Sequence, residues 1–366
     1  MLATLTLLAM DDLVAVSSRA KAALLAGRYD EAIGAYQQLA KALPQESGPR
    51  LNLAVALDAA GRHREALTNL EAIRTAQAAN PGFWYLLGIQ YQKLQQPAKA
   101  VEPLERACKL QPNEQFRFEL ADAYLASGAY EKARTEFERI TRERPDSAKS
   151  LQGLALSLLA ISREAHRNGG DPGRASSRLA EKALDRLAAL PPSAEVHELL
   201  ARALEDAGRN EEAVTQLRDA LRMAPGENRL RGLLAGALWH GRHYDEAAST
   251  FAELVKAEPD RADWQYQFGD CLFNLGKVEE AVPHLQKAVE INPGLLTAQA
   301  VLGRTLMQLG NDKAALPHLE KALPLDTDGA IHYQLARVYG NLGKTEEARL
   351  AMARHLELQE KAKSKQ

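Results

Sequence analysis

The chain has 366 residues, 46% of them hydrophobic and only 5% aromatic, with a formal net charge of −2. A chain this close to neutral projects no broad basic field, which excludes nucleic acid and an anionic membrane surface as expected partners. The apolar share is ample for a continuous core, and abundant alanine beside scarce aromatics suits helices packed closely together.

The chain opens on MLATLTLLAM, apolar for nearly its whole length, without a basic start and too short to span a bilayer. No integral membrane segment is expected. Residues 1–12 admit two readings. One is an apolar lead-in packed on the first helix pair, with Asp11 or Asp12 capping the next helix. The other is the remnant of a truncated signal peptide. The compartment depends on the choice: cytoplasm for the first, periplasm or exterior for the second.

Helical spacing then predicts pairs of helices. Asp12–Ala26 pairs with Tyr29–Leu43, and Leu51–Ala60 with Arg64–Ala78. The third unit, Trp84 to Pro112, is the plainest. Trp84, Leu87, Gly88 and Tyr91 fall on one side of a helix, and Ala100 and Leu104 on one side of the next. Gly88 and Ala100 are small enough to let the two helices approach closely, and Pro112 ends the unit. Gln115–Ser127 and Tyr130–Glu143 form the fourth.

The fifth unit is longer. Ser147–Asn168 reads as one helix, Gly169-Gly170-Asp171-Pro172-Gly173 as a turn, and Arg174–Leu190 as the second helix. Sharing the surplus lengthens each helix by roughly 10 Å at 1.5 Å per residue. A projecting hairpin over residues 148–192 is the consequence. Its tip carries Arg163, His166, Arg167, Arg174 and Arg178 against Glu164 and Asp171, either a solvated surface or a contact for an acidic partner. Five further units run from Ala194 to Leu358. Pro283 and Pro317 fall near the starts of second helices, where few backbone bonds are lost. Residues 359–366, with Lys361, Lys363 and Lys365, read as a short basic flexible tail. Cys108 and Cys271 read as buried helical thiols.

The second-helix alanine recurs at Ala32, Ala66, Ala100, Ala133, Ala180, Ala213, Ala247, Ala281, Ala315 and Ala348, in steps of 33 or 34 residues save one of 47. An apolar residue stands four positions after each, from Tyr36 to Met352, and prolines such as Pro112, Pro225 and Pro293 close most units. This pattern resembles the tetratricopeptide repeat, W-x2-L-G-x2-Y, then A-x3-F, then P, with Leu104 where Phe is preferred. The resemblance covers residues 13–358. It implies an all-α, right-handed superhelical solenoid of about ten helix–turn–helix repeats, with a concave groove lined by the first helix of each pair. It also implies a protein–protein interaction scaffold.

No enzyme chemistry stands out. Gly343-Lys344-Thr345 resembles the end of a phosphate loop, but Val338 occupies the place of the required earlier glycine and a helix precedes it. His240 and His243 straddle a turn without a third ligand. His284 and His318 are equivalent places in successive repeats. No catalytic, cofactor or metal site is expected.

What remains is the groove. Offsets from each repeat's small residue give Tyr85 and Gln92 beside Gly88, Phe118 and Asp122 beside Ala121, Arg202 beside Ala201, and Trp239 (with His240) beside Ala235. They give Tyr266, Asp270 and Asn274 beside Gly269, Arg304 and Gln308 beside Gly303, and Tyr333, Arg337 and Asn341 beside Ala336. With Leu51, Val55 and Ile89 added, the N-terminal lining reads as apolar and the C-terminal lining as polar, with two arginines. Such a surface suits a peptide segment or a partner helix. Family members that clamp a C-terminal carboxylate use a basic and asparagine set; Lys21, Asn52, Asp58 and Gln92 do not supply it. The rival readings are a substrate-recruiting or regulatory arm of an enzyme complex, and an exported assembly factor.

Overall fold

The computed structural model describes the backbone of residues 2–167 and 172–363, and side chains over 12–165 and 175–363. The expected turn at Gly169, Gly170 and Asp171, the tip side chains of His166, Arg167 and Arg174, and Lys365 of the tail lie outside these residues. The chain divides into two compact units, Met1–Leu190 and Pro191–Gln366.

The first unit holds five helix pairs: α1 (Leu2–Leu25) with α2 (Tyr29–Ala42), α3 (Ser47–Ala59) with α4 (His63–Glu71), α5 (Pro81–Lys93) with α6 (Pro97–Leu110), α7 (Glu114–Ala126) with α8 (Tyr130–Glu143), and α9 (Ala148–Arg167) with α10 (Pro172–Ala188). The second unit repeats the scheme. Its pairs are α11 (Ala194–Asp206) with α12 (Asn210–Met223), α13 (Asn228–His240) with α14 (Tyr244–Ala257), α15 (Ala262–Asn274) with α16 (Val278–Ile291), α17 (Leu296–Gln308) with α18 (Asp312–Ala322), and α19 (Ala330–Asn341) with α20 (Thr345–Lys363). A short 3-10 turn, Leu323–Leu325, succeeds α18, because Pro324 offers no N–H to continue the α-ladder. The described residues contain no strand. Within each unit every helix packs on the next, and first helices of successive pairs also touch, as α5 does α7 and α15 does α17. Each unit is therefore an all-α solenoid, stabilised by neighbour contacts alone.

Close packing inside a pair depends on glycine. A Cβ added to Gly88 would stand 2.5 Å from Leu104 Cγ, and one added to Gly269 2.6 Å from Leu285 Cγ. No side chain fits there without displacing a buried leucine. The turn between paired helices needs a left-handed residue. Gly276 (φ 77°) takes that place, with Lys277 N donating to Leu272 O at 2.9 Å in the manner of a Schellman cap. Where glycine is missing, Gln95 (φ 58°) and Arg242 (φ 63°) adopt the same conformation.

His284 and His318 prove to be struts. Gln265 donates Nε2–H to the Pro259 carbonyl (2.9 Å) and accepts from His284 Nδ1 (2.8 Å). Gln299 repeats this between Pro293 (3.1 Å) and His318 (2.6 Å). Each strut ties a first helix to its partner.

Four sequence expectations need correction. α1 starts at Leu2 and runs through Asp11 and Asp12, so neither caps a helix; the apolar run holds no glycine or proline to stop it. α4 ends at Glu71 rather than Ala78. Residues 72–79 continue as turns that mix bonds to the third residue back, such as Ile73 N to Leu70 O at 3.0 Å, with bonds to the fourth, such as Gln77 N to Ile73 O at 3.0 Å, while the Ala78 carbonyl is taken by Trp84 Nε1 at 2.9 Å. α20 continues to Lys363 in place of the expected flexible tail, braced by Lys361 Nζ on Glu357 at 2.6 Å. The prolines in second helices lie past the first turn, Pro283 and Pro317 at the sixth position and Pro103 at the seventh, yet interrupt none of them. None of the described helices is long and apolar enough to cross a membrane. The two thiols sit in α6 and α15, Cys108 only half-buried and Cys271 buried; burial pushes them up to about 11 and about 12, so both stay protonated at neutral pH.

Candidate binding groove

In the second unit the first helices α11, α13, α15, α17 and α19 carry the face of interest. Its centre is Asp270 of α15, only 7% exposed. Trp239 of α13 donates its indole N–H to Asp270 Oδ2 at 2.7 Å. Arg304 of α17 brings Nη2 to 3.7 Å from Oδ1 and lays its guanidinium 4.6 Å from the Phe273 ring centre. Tyr266 meets the Trp239 ring edge-on at 6.0 Å. Burial raises the Asp270 carboxyl, with the Trp239 hydrogen bond, Arg304 and Asn274 pulling the other way. Burial, then the Asp270 charge, pushes the Tyr266 hydroxyl to about 12. Arg304 Nε is shut off from water and has no hydrogen-bond partner among the described residues. Three successive first helices thus hold one cation in a fixed place with a donor unspent.

Toward α11 the face is ionic. Arg229 grips both carboxylate oxygens of Glu198, Nη2 lying 2.6 Å from Oε2, and Arg202 reaches the same carboxylate at 2.9 Å. Between α11 and α15 lies a cavity of about 520 Å³, floored by Gly232 and Gly236 and walled by Glu205, His240, Arg261 and Trp264 among others.

In the first unit a cavity of about 540 Å³ lies over α3, α5 and α7, with Tyr85, Ile89, Gln92, Asp58, Glu119 and Asp122 in its wall. Gln92 donates Nε2–H to Asp122 Oδ2 (3.2 Å) and to the Glu119 carbonyl (3.3 Å). Tyr85 stacks on Phe116 at 4.7 Å and takes a bond from Gln115 at 2.8 Å. Burial raises both Glu119, helped by Asp122, and Asp122 itself. Asp58 is opposed by burial too, yet Lys93 at 2.8 Å, with Gln90 and His63, holds it below the usual range.

Profiles of the tetratricopeptide repeat match residues 85–148, 164–228 and 233–295, then 23–89 and 272–330, then 330–361. The chain belongs to the tetratricopeptide repeat family. That family supports interaction scaffolds in general and is typically non-catalytic. No curated protein matches the chain. Among solved structures, the human IFIT1 dimer with PPP-AAAA is 20% identical, with a TM-score of 0.50 over 86% of this chain and 77% of that one. A monomeric IFIT1 mutant with m7Gppp-AAAA is 20% identical, with a TM-score of 0.51 over 86% and 78%. The likeness is one of fold.

It also corrects one expectation. The near-neutral charge does not exclude nucleic acid, because IFIT1 shows tetratricopeptide repeats of this fold with an oligonucleotide. Net charge averages over faces that a ligand meets separately, so it excludes nothing about one groove.

Of the residues placed on the groove by repeat offsets, Trp239, Tyr266, Asp270 and Arg304 come together, as do Gln92 and Asp122 with Tyr85 nearby. Asn274 donates back to its own helix, to the Asp270 carbonyl at 2.8 Å. Phe118 turns edge-on to Phe137 of α8, 5.9 Å between centres. Arg202 is committed to Glu198. Asn341 donates to Asp312 Oδ2 at 3.0 Å, and Tyr333 is 44% exposed beside the His355 ring. Gln308 and Arg337 are exposed. The N-terminal lining is less apolar than expected, since Glu119 and Lys93 fall outside the repeat offsets and Leu51 packs into the core. His240 and His243 pair with different carboxylates, Glu205 and Glu211, and the described residues hold no group of three or more metal-ligating side chains. Among the residues missed altogether are Gly232, Gly236 and Trp264. A shift of 34 positions would have found the glycines, because they stand where Tyr266 and Asp270 stand one repeat later.

Proposed function

We propose that the chain is an interaction scaffold whose unit Pro191–Gln366 binds an extended peptide along its first helices, centred on Trp239, Asp270 and Arg304. The observation that carries this reading is Arg304: a guanidinium pinned by a buried carboxylate and an aromatic ring while its side chain stays 40% exposed. The exposed Nη end of that guanidinium can donate to a peptide carbonyl or carboxylate, and the neighbouring rings of Tyr266 and Trp239 supply apolar contact. Holding the cation in advance removes part of the ordering cost of association.

The test is selection of a displayed dodecapeptide library on the full chain, then titration of the synthetic winner against wild type and Arg304→Ala. Tenfold or greater weakening in Arg304→Ala, at unchanged thermal midpoint, supports the reading. Equal affinity sinks it. A 5′-triphosphate tetra-adenylate oligonucleotide is titrated in parallel, and binding of it without any peptide replaces peptide by nucleic acid as the ligand class.

A further inference from the structure

The cavity on α13 is not the packing by-product its two glycines suggest. A Cβ built on Gly236 would meet nothing within 4 Å, so no neighbour in this chain requires glycine there. At Gly232 the nearest obstacle is the Trp264 ring, 3.2 Å from the added carbon at both Cζ2 and Nε1. Glycine in a helix interior costs about 1 kcal/mol relative to alanine, and here that cost opens a notch. Trp264 points to the kind of group the notch receives. The residue is 6% exposed, and its indole N–H, which has no acceptor among the described residues, borders the notch beside Gly232. The indoles of Trp84 and Trp239 spend their N–H within the chain, on the Ala78 carbonyl and on Asp270, whereas that of Trp264 is left for a ligand.

The charges around the notch set the chemistry of the occupant. Arg229, also in the wall, is committed to Glu198. Arg261 lies 4.3 Å over the Trp264 ring, forks onto Asp263 at 2.8 and 3.0 Å, and stands 3.7 Å from Glu258. Glu205 has the His240 imidazole as its neighbour within ion-pair range, and only at 3.8 Å. With three carboxylates in the wall and both guanidiniums engaged, the excess is negative.

We infer that this notch is a subsite for a lysine or arginine side chain of a groove-bound peptide, its aliphatic stem lying across Gly232 and Gly236, its cationic head on Glu205, and a backbone carbonyl accepting from Trp264 Nε1. The volume of about 520 Å³ accommodates such a side chain with its backbone, and the bare helix surface lets that backbone approach. A long stem on apolar surface with its charge at the rim is how these residues bury themselves elsewhere. The inference rests on the peptide reading and adds a specificity to it.

The experiment uses the same displayed dodecapeptide library on the full chain. Selected peptides carry lysine or arginine at one aligned position. The synthetic winner binds at least tenfold more weakly when that residue becomes alanine, and at least tenfold more weakly to Gly236→Leu. In Glu205→Gln the basic and alanine peptides bind alike. Gly236→Ala, whose added carbon meets no neighbour, keeps the test open if the leucine variant misfolds, and it weakens binding about threefold. Peptides with no aligned basic residue, or indifferent to the Gly236 and Glu205 variants, overturn the subsite. If those peptides are still lost on Arg304→Ala, the groove reading survives alone. If no peptide binds at all, the groove reading falls and takes the subsite with it.

Discussion

Gly269→Ala is the sharpest perturbation the fold offers. The new methyl would stand 2.6 Å from Leu285 Cγ, 2.9 Å from Cδ2 and 3.3 Å from the Ala281 carbonyl. Carbon atoms rest at about 3.5–4.0 Å, so the wholly buried Leu285 must retreat by roughly 1 Å into a filled core. Overpacking of this kind costs about 1–3 kcal/mol, against a gain of about 1 kcal/mol from replacing glycine in a helix. The single variant should therefore lose up to about 2 kcal/mol. Leu285→Ala alone should lose about 2–5 kcal/mol through its cavity. In the double variant the methyl has room, so the overpacking cost disappears and the helix gain remains, a favourable coupling of about 1–3 kcal/mol. Urea unfolding monitored by far-ultraviolet circular dichroism measures all four corners of the cycle. Gly34→Ala in α2, where an added carbon meets nothing within 4 Å, is the control and should gain about 1 kcal/mol. Additivity of the two changes within about 0.3–0.5 kcal/mol would refute the close-approach argument.

Other expectations rest on single contacts. Gln95→Gly relieves a left-handed glutamine at the α5–α6 turn and should raise stability by about 1 kcal/mol, read as a higher thermal midpoint. Trp239→Phe leaves the buried Asp270 without its 2.7 Å donor and should cost about 1–3 kcal/mol in urea unfolding. The imidazoles of His284 and His318 are depressed by burial, the latter also by Lys321. The unfolded chain therefore takes up protons first. Their contribution to stability is present above the unfolded value of about 6.5 and is lost as pH falls from there through the depressed folded values. The urea midpoint should drop between about pH 7.5 and 5.5, and His284→Gln with His318→Gln should flatten that slope; an unaltered slope would rule out these two struts as its source.

How much was legible depends on whether a residue repeats or departs. The alanine series, the close helix approach at Gly88 and the bounds of helices such as α2, α7 and α8 could be read directly, because each repeat restates the same spacing and errors in one unit are corrected by the next. The cluster around Asp270 was legible for the same reason: Tyr266, Asp270 and Arg304 sit at fixed offsets from Gly269 and Gly303. The failures lie where a residue answers to something outside the period. The Ala78 carbonyl is claimed by Trp84, and Phe118 leans onto Phe137 of α8, and neither can be deduced from helical phase. The notch was missed for a different reason. A search for chemistry along the groove passes over glycine, which has no side chain to propose, whereas here the missing side chains at Gly232 and Gly236 expose the indole of Trp264. In a repeat array the informative positions are those where the period supplies Tyr266 and Asp270 in one unit and nothing but backbone in the unit before.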